Sequence, residues 1–190
     1  SADCVAVKVP VFSFSKLTDA DSMLGPEMKS TGEVLGIDKD FESALYKGLL
    51  GAGYGLSKVA DTVLITVKDA DKEESVDLAK KFVQLGYKIA ATEGTCNYLN
   101  EHGVPAFKVG KFDEEEPNTN TLFDSGAVDF VVSTSKIGRK PAVQSVQMRR
   151  KAIERSIVTL TSLDTANALA NCLLSGKNLD NVNMVDITKI

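Results

Sequence analysis

Between residues 62 and 174 the chain alternates five short apolar segments with segments that have the apolar spacing of a helix. The first apolar segment, 62–67, precedes a helical pattern over 71–85, and the alternation then continues to residue 174. Parallel strands need crossover connections, which are usually helices and are nearly always right-handed. The pattern therefore predicts an α/β fold, a doubly wound five-stranded parallel sheet with helices on both faces.

The predicted elements can be placed along the sequence by their apolar runs and turn residues. Strands are predicted at residues 62–67, 88–91, 104–109, 129–133 and 157–160, and helices at 71–85, 95–101, near 121, 143–155 and 163–174. In the first of these helices the side chains predicted to face the core are Val76, Ala79, Phe82 and Val83. Gly86 follows it as the predicted C-terminal glycine.

The first 56 residues have a different organisation. An alternating stretch over 5–14 predicts an extended segment, and a turn-rich run follows to Gly32. A helix is predicted to start near Asp40, with an apolar face formed by Phe41, Ala44, Leu45 and Leu49. Clustered glycines at 51–55 indicate a connector. We therefore divide the chain into 1–56, the end of a larger domain, and 57–190, the sheet domain, because so short a leading piece buries little alone.

Composition argues against several classes of function. The net charge of -4 and the absence of Trp argue against a nucleic-acid interface. The longest apolar runs are a few residues, whereas a membrane span needs about 20. Without a basic and apolar leader, a cytoplasmic location is predicted. Three separated cysteines and the single His102 argue against a disulfide framework, a metal site and a catalytic triad.

Polar residues follow the ends of four predicted strands, where α/β sheets bind their ligands. In chain order these residues are Lys72, Thr92 and Thr95, Lys111, and Ser133 with Thr134. Lysines, hydroxyls and a helix N-terminus at one sheet edge suit an anion, most simply a phosphate on a small organic molecule. Each loop alone is typical of helix capping, so the prediction depends on the loops meeting. No nucleophile and base are paired, and we interpret the crevice as a binding site.

An acidic run at 113–116 directly follows Lys111. It could oppose a bound anion, but charge runs of this kind are typical of solvated loops. We interpret it as a solvated loop.

The segment LGPEMKSTGEV, residues 24–34, closely resembles the segment that closes the second ATP-grasp unit in large subunits of the carbamoyl phosphate synthetase family. The residues that follow resemble the family's C-terminal regulatory domain, which has a methylglyoxal-synthase-like, Rossmann-like fold. The resemblance covers essentially the whole chain. It implies that residues 1–56 end an ATP-grasp synthetase domain and that 57–190 form an allosteric domain. The segment itself is then not catalytic.

The family's allosteric domain binds small anionic effectors. These are uridine monophosphate (UMP), inosine monophosphate (IMP), phosphoribosyl pyrophosphate (PRPP) or, in the urea-cycle member, N-acetylglutamate. By resemblance, the effector positions are the ones chosen above: Lys72, Thr92, Thr95, Lys111, Ser133 and Thr134. Lys111, in place of a bulky aromatic residue, favours a phosphate ligand.

Three departures from the family pattern leave the effector and the direction of its action open. Ser133 stands where the family often has Asn, and Glu115 stands where it commonly has Gly. Val9 stands where ornithine-binding members have an acidic residue, although Thr161 matches another ornithine-facing position.

The resemblance also implies the setting of the domain. The parent enzyme is an ATP-dependent ligase that makes carbamoyl phosphate from bicarbonate and glutamine-derived ammonia, for pyrimidine synthesis, arginine synthesis or both. Its cofactors are ATP with Mg²⁺ or Mn²⁺, with K⁺ as a further candidate, and none is expected in this segment. The expected partners are the rest of the large subunit and the glutaminase small subunit, in an oligomer, with no nucleic acid and no membrane.

Two other interpretations remain. One is a stand-alone enzyme of the same fold, a methylglyoxal synthase or an IMP cyclohydrolase. A methylglyoxal synthase would have an acid–base Asp beside a Gly-Asp-rich loop and an Asp-Pro turn after the fourth strand. At these places this chain has DEEE, residues 113–116, and STSK, residues 133–136, so the enzyme interpretation loses most of its support. The other is an oligomerisation module with a vestigial crevice.

Overall fold

The computed structural model describes residues 4–11, 32–54, 61–134 and 143–176. It contains a two-stranded antiparallel sheet and a five-stranded parallel sheet. The strands are β1 Val5–Val11, β2 Gly32–Asp38, β3 Thr62–Thr66, β4 Lys88–Thr92, β5 Ala106–Val109, β6 Val128–Ser133 and β7 Val158–Leu160. The helices are α1 Phe41–Gly51, α2 Lys72–Gln84, α3 Glu93–Glu101, α4 Thr119–Asp124, α5 Val143–Glu154 and α6 Leu163–Leu174.

The parallel sheet has the strand order β5-β4-β3-β6-β7. From the central β3 the chain moves outward to β4 and β5, and then crosses back to β6 and β7 on the other side. The direction therefore reverses between β3 and β6, and ligands of α/β proteins bind outside the strand ends at such a switch point. The predicted α/β fold with five parallel strands is confirmed.

The two faces of the parallel sheet are covered by different helices. Val63 and Ile65 of β3 pack with Phe82 of α2 in one apolar cluster, and Leu64 packs with Met148 of α5 in another. All three β3 residues have 0% exposure. A strand buried on both faces has a continuous apolar sequence, which is why β3 is easy to recognise.

The predicted helix near Asp40 is confirmed, and its cap is visible. The side chain of Asp40 accepts the Ser43 backbone N–H at 2.8 Å, which satisfies one of the unpaired donors of the first turn of α1. Ala44, Leu45 and Leu49 are buried as predicted.

Two predicted core positions are wrong. Phe41 is 43% exposed at the start of α1, and Val83 is 36% exposed on α2. On α2 the buried stripe consists of Ser75, Val76, Leu78, Ala79 and Phe82, and Val83 lies at its margin. Apolar spacing defines a stripe about 100° wide, so residues at its edge are not resolved by sequence.

Strand β2 was not predicted. Its sequence, GEVLGID, contains two glycines and two acidic residues, which is typical of a turn. It is a strand because it pairs antiparallel with β1 along its whole length, from Val5 opposite Asp38 to Val11 opposite Gly32. Residues 12–31, including most of the family-like segment, lie outside the described residues.

Helix α1 connects the antiparallel sheet to the parallel one. It packs on β1 and β2 and also on α6. Leu45, Tyr46 and Leu49 belong to the same apolar cluster as Val63 and Leu169. Residues 55–60 lie outside the described residues, so the domain boundary at 56/57 stays a prediction.

An ion pair holds the end of β2 against α1. Lys47 Nζ lies 2.9 Å from Asp38 Oδ2 and donates to the Ile37 carbonyl at 3.0 Å, and both side chains are less than 20% exposed. Burial alone would raise the pKa of Asp38. The hydrogen bonds from Lys47 and from the Lys39 backbone, with the Lys47 charge, outweigh burial and hold the pKa below its ordinary value of 3.8.

We therefore expect part of the stability to be lost in acid. Because the native pKa of Asp38 is depressed, its contribution is complete above pH 3.8 and disappears as the pH falls through the native pKa. Between about pH 5 and about pH 2, the free energy of unfolding of Asp38→Asn should fall by about 1 kcal/mol less than that of the wild type. Urea unfolding at each pH measures this difference. Asp77→Asn, an exposed position on α2, is the control. Parallel pH profiles for wild type and Asp38→Asn would contradict the expectation.

Candidate functional site

The ends of β3, β4 and β6 form one polar edge. Thr66, at the end of the central strand β3, links the other two. Its hydroxyl lies 3.1 Å from the Thr92 hydroxyl at the end of β4, and its carbonyl accepts the Thr134 N–H after β6 at 3.1 Å. The structure therefore brings three of the predicted loops together.

Lys72 lies over the first turn of α3. A Cβ atom added to Gly94 would be 3.3 Å from Lys72 Nζ, so glycine at this position leaves room for the ammonium group. The N-cap residue of α3 is Thr92, but its side chain makes no capping hydrogen bond and is directed to Thr66 instead. The Lys72 ammonium group therefore lies beside the N-terminal end of α3, where backbone N–H groups are left unpaired by the helix.

The remaining hydroxyls of the crevice differ in their access to a ligand. Thr95 is 2% exposed and accepts the Val67 N–H at 3.3 Å, so it orders the loop after β3. Ser133 is 3% exposed and lies opposite Thr66 in the strand register. Thr134 is half-buried and accepts the Lys68 N–H at 3.1 Å. Thr134 is therefore the more accessible of the two residues after β6.

Lys111 lies at the outer end of the crevice, after the edge strand β5, and its side chain is 62% exposed. Its N–H donates to Glu114 at 2.7 Å, so the first glutamate of the acidic run is bonded back to the site. Lys108 on β5 forms a 2.7 Å ion pair with Glu93 at the start of α3. The hydrogen bond from Lys108, together with its charge, lowers the pKa of Glu93. This end of the crevice therefore holds alternating cations and carboxylates.

A cavity of about 340 Å³ lies beside the crevice. Only Thr134, of the predicted site residues, lines it. The other lining residues are Lys68, Asp71, Glu74, Thr161, Ser162, Leu163 and Asp164. Residues 161–164 follow β7, a fifth strand end from which the sequence analysis named only Thr161, as a match to an ornithine-facing position.

In the described parts of the chain, no three His, Cys, Asp or Glu side chains are grouped so that they could hold a metal ion. None of the helices described is long and apolar enough to cross a membrane.

The fold and crevice define the class of domain. Residues 74–161 match the family model of the MGS-like domain. This segment runs from the first turn of α2 to the residue after β7 and includes all the predicted site residues except Lys72. An MGS-like domain is therefore present within the parallel-sheet part of the chain.

The relatives by sequence are more specific. The chain is 48% identical to the carbamoyl phosphate synthase large chains of Agathobacter rectalis, over 191 residues, and of Lachnoclostridium phytofermentans, over 189 residues. Each match covers 100% of this chain and 18% of the large chain. The resemblance inferred from the sequence, to the C-terminal end of the carbamoyl phosphate synthase large chain, is thus confirmed.

Two solved structures are similar to the chain at a TM-score of 0.46. ForH is 19% identical, and the match covers 62% of this chain and 81% of that chain. The methylglyoxal synthase of Elizabethkingia anophelis NUHP1 is 16% identical, and the match covers 58% of this chain and 77% of that chain.

Proposed function

We propose that this domain is the allosteric domain of a carbamoyl phosphate synthase large chain and that its crevice binds a small phosphorylated effector. The observation that carries the proposal is the position of Lys72 Nζ over the first turn of α3, whose N-cap side chain is bonded elsewhere. An ammonium group and a helix N-terminus that converge on one point suit a phosphate. The 48% identity to large chains supports the setting.

The candidate effectors are UMP, IMP and PRPP. With the phosphate at Lys72 and the start of α3, the rest of the molecule would extend past Thr66 toward Thr134. Strands β4 and β6 flank β3, so the two ends of this path are about 10 Å apart. Thr92 and Thr134 offer hydroxyls along it, whereas Lys111 follows β5, on the side of β4 away from β6, and would meet only the phosphate end.

The proposed role in the parent enzyme is regulatory. The parent would use ATP with Mg²⁺ or Mn²⁺, bicarbonate and glutamine-derived ammonia to make carbamoyl phosphate in the cytoplasm. An effector changes such an activity only if it binds two conformations with different affinity, and couplings of about 5- to 150-fold are usual. The packing of α1 on α6 supports a rigid link between the allosteric domain and the preceding segment, which we assign to the synthetase domain.

The test is calorimetric titration of the 190-residue chain with UMP, IMP, PRPP and N-acetylglutamate in phosphate-free buffer. We expect saturable binding of at least one phosphorylated compound. In an NMR titration with that compound, the amide resonances of Gly94 and Thr95 should shift. No binding of any phosphorylated compound at millimolar concentration would contradict the proposal. Release of methylglyoxal from dihydroxyacetone phosphate would instead favour the enzyme interpretation.

A further inference from the structure

The loop that carries Lys111 is closed at its base. It runs over residues 110–118, between β5 and α4. The Gly110 N–H donates to the Pro117 carbonyl at 2.8 Å, and the Gly110 carbonyl accepts the Thr119 N–H at 3.0 Å. These two hydrogen bonds tie the first residue of the loop to its end. The two ends of the loop are therefore fixed to each other through the backbone, independently of the exposed side chains between them.

The Asn118 side chain joins this loop to α4. Its Oδ1 atom accepts the Thr121 N–H at 2.9 Å and so caps the first turn of α4. Its Nδ2 group donates to the Glu114 carbonyl at 2.7 Å, across the loop. An amide can make both bonds because it offers an acceptor and two donors on one short side chain. Asn118 is 7% exposed, so both bonds are largely shielded from water.

Glu114, which Asn118 holds by its carbonyl, also fixes the backbone of Lys111. The Lys111 N–H donates to a Glu114 carboxylate oxygen at 2.7 Å, and the Lys111 carbonyl accepts the Glu114 N–H at 3.2 Å. Phe112 packs on the apolar cluster that contains Phe123. The Lys111 ammonium itself lies 3.9 Å from Glu114 Oε1, and an ion pair this long between exposed groups is weak. The backbone of Lys111 is therefore fixed, whereas its side chain is available to a ligand.

This loop places the Lys111 charge near the start of α3. Thr92, at the end of β4, lies opposite the last residue of β5, so the loop begins beside the proposed phosphate position. The hydrogen bond from Lys108, together with its charge, lowers the pKa of Glu93, the first residue of α3, and the Lys111 charge contributes further. The Lys111 charge therefore acts at the same helix end that Lys72 approaches.

We propose that Asn118 is a positioning residue of the effector site: through Glu114 it holds the backbone of Lys111, so that the ammonium group meets the phosphate at the start of α3. Asn118 does not touch the ligand in this arrangement, since its side chain is buried and both ends of the amide are bonded. A binding lysine loses side-chain freedom, and a fixed backbone removes the additional cost of ordering the loop. The inference rests on the proposed function.

The test is a double-mutant cycle of Asn118 and Lys111, with inorganic phosphate as the probe at constant ionic strength. NMR follows binding through the Gly94 amide in the 190-residue chain. Asn118→Ser keeps a hydroxyl that can cap α4 and removes the Nδ2 donor without a change of charge. It should weaken phosphate binding about three- to tenfold in the wild-type background, and by less than about twofold in the Lys111→Ala background.

Thr121→Val is the matched control. It removes the hydroxyl that accepts the Asn118 N–H at 3.1 Å, so it weakens the same helix start, but it leaves the Asn118 bond to the Glu114 carbonyl in place. We expect it to lower the melting temperature and to leave phosphate affinity within about twofold of wild type. Hydrogen exchange of the Lys111 amide should be faster in Asn118→Ser than in Thr121→Val. Thermal unfolding of each variant establishes that it is folded.

The outcomes separate this inference from the proposed function. If phosphate binds the wild type but Asn118→Ser has unchanged affinity, or loses as much in the Lys111→Ala background, the positioning role is excluded while the phosphate site stands. Equal losses in Asn118→Ser and Thr121→Val would also exclude it, because the effect would then come from α4. If neither phosphate nor any phosphorylated effector binds the wild type, the proposed function fails and the positioning role fails with it.

Discussion

Gly36→Ala is expected to lower the free energy of unfolding by at least about 3 kcal/mol. A Cβ atom at this position of β2 would lie 1.9 Å from the Ala44 carbonyl oxygen and 2.5 Å from the Gly48 nitrogen. Both are backbone atoms of α1, so neither can rotate away. The methyl group can be accommodated only if α1 moves off the antiparallel sheet, which also disturbs the packing of α1 on α6.

The same strand supplies the control. A Cβ atom at Gly32 meets nothing within 4 Å, so Gly32→Ala should change the free energy of unfolding by no more than about 0.5 kcal/mol. Urea unfolding followed by circular dichroism measures both variants. Equal stabilities of Gly36→Ala and Gly32→Ala would mean that α1 does not lie this close to β2.

The largest expected effect on binding is that of Lys72→Ala combined with Thr92→Ala. This double variant should bind the phosphorylated effector at least about tenfold more weakly, because it loses an ammonium group and a hydroxyl, and charge-assisted hydrogen bonds contribute about 1.5 to 3 kcal/mol each. The measurement is calorimetric titration with whichever of UMP, IMP and PRPP binds the wild type.

Lys80→Ala, at an exposed position of α2, controls for the loss of one positive charge. The Thr92 hydroxyl also forms a hydrogen bond with the Thr66 hydroxyl, so the substitution can affect stability. The melting temperature is therefore measured together with the affinity. Unchanged affinity in a folded double variant would place the effector elsewhere.

The sequence alone predicted the elements of the parallel sheet. Strand β3 was found because a strand buried on both faces has a continuous apolar run. Helix α2 was found because a helix buried along one stripe has apolar residues at helical spacing. Asp40 marked the start of α1 because its side chain caps the first turn. Strand β2 was missed because its stability comes from pairing with β1, and no local period or propensity reports a pairing partner.

The features of the candidate site also divide into those that the sequence identified and those that only the tertiary structure shows. The sequence identified Lys72, Thr92 and Thr134 as residues that follow strand ends, and strand ends can be located from local patterns alone. Only the tertiary structure places Lys72 over Gly94 and adds the loop after β7 to the cavity. The physical reason is that strand order and side-chain contacts across loops depend on where distant segments cross, whereas apolar period and helix caps depend on neighbours in the chain.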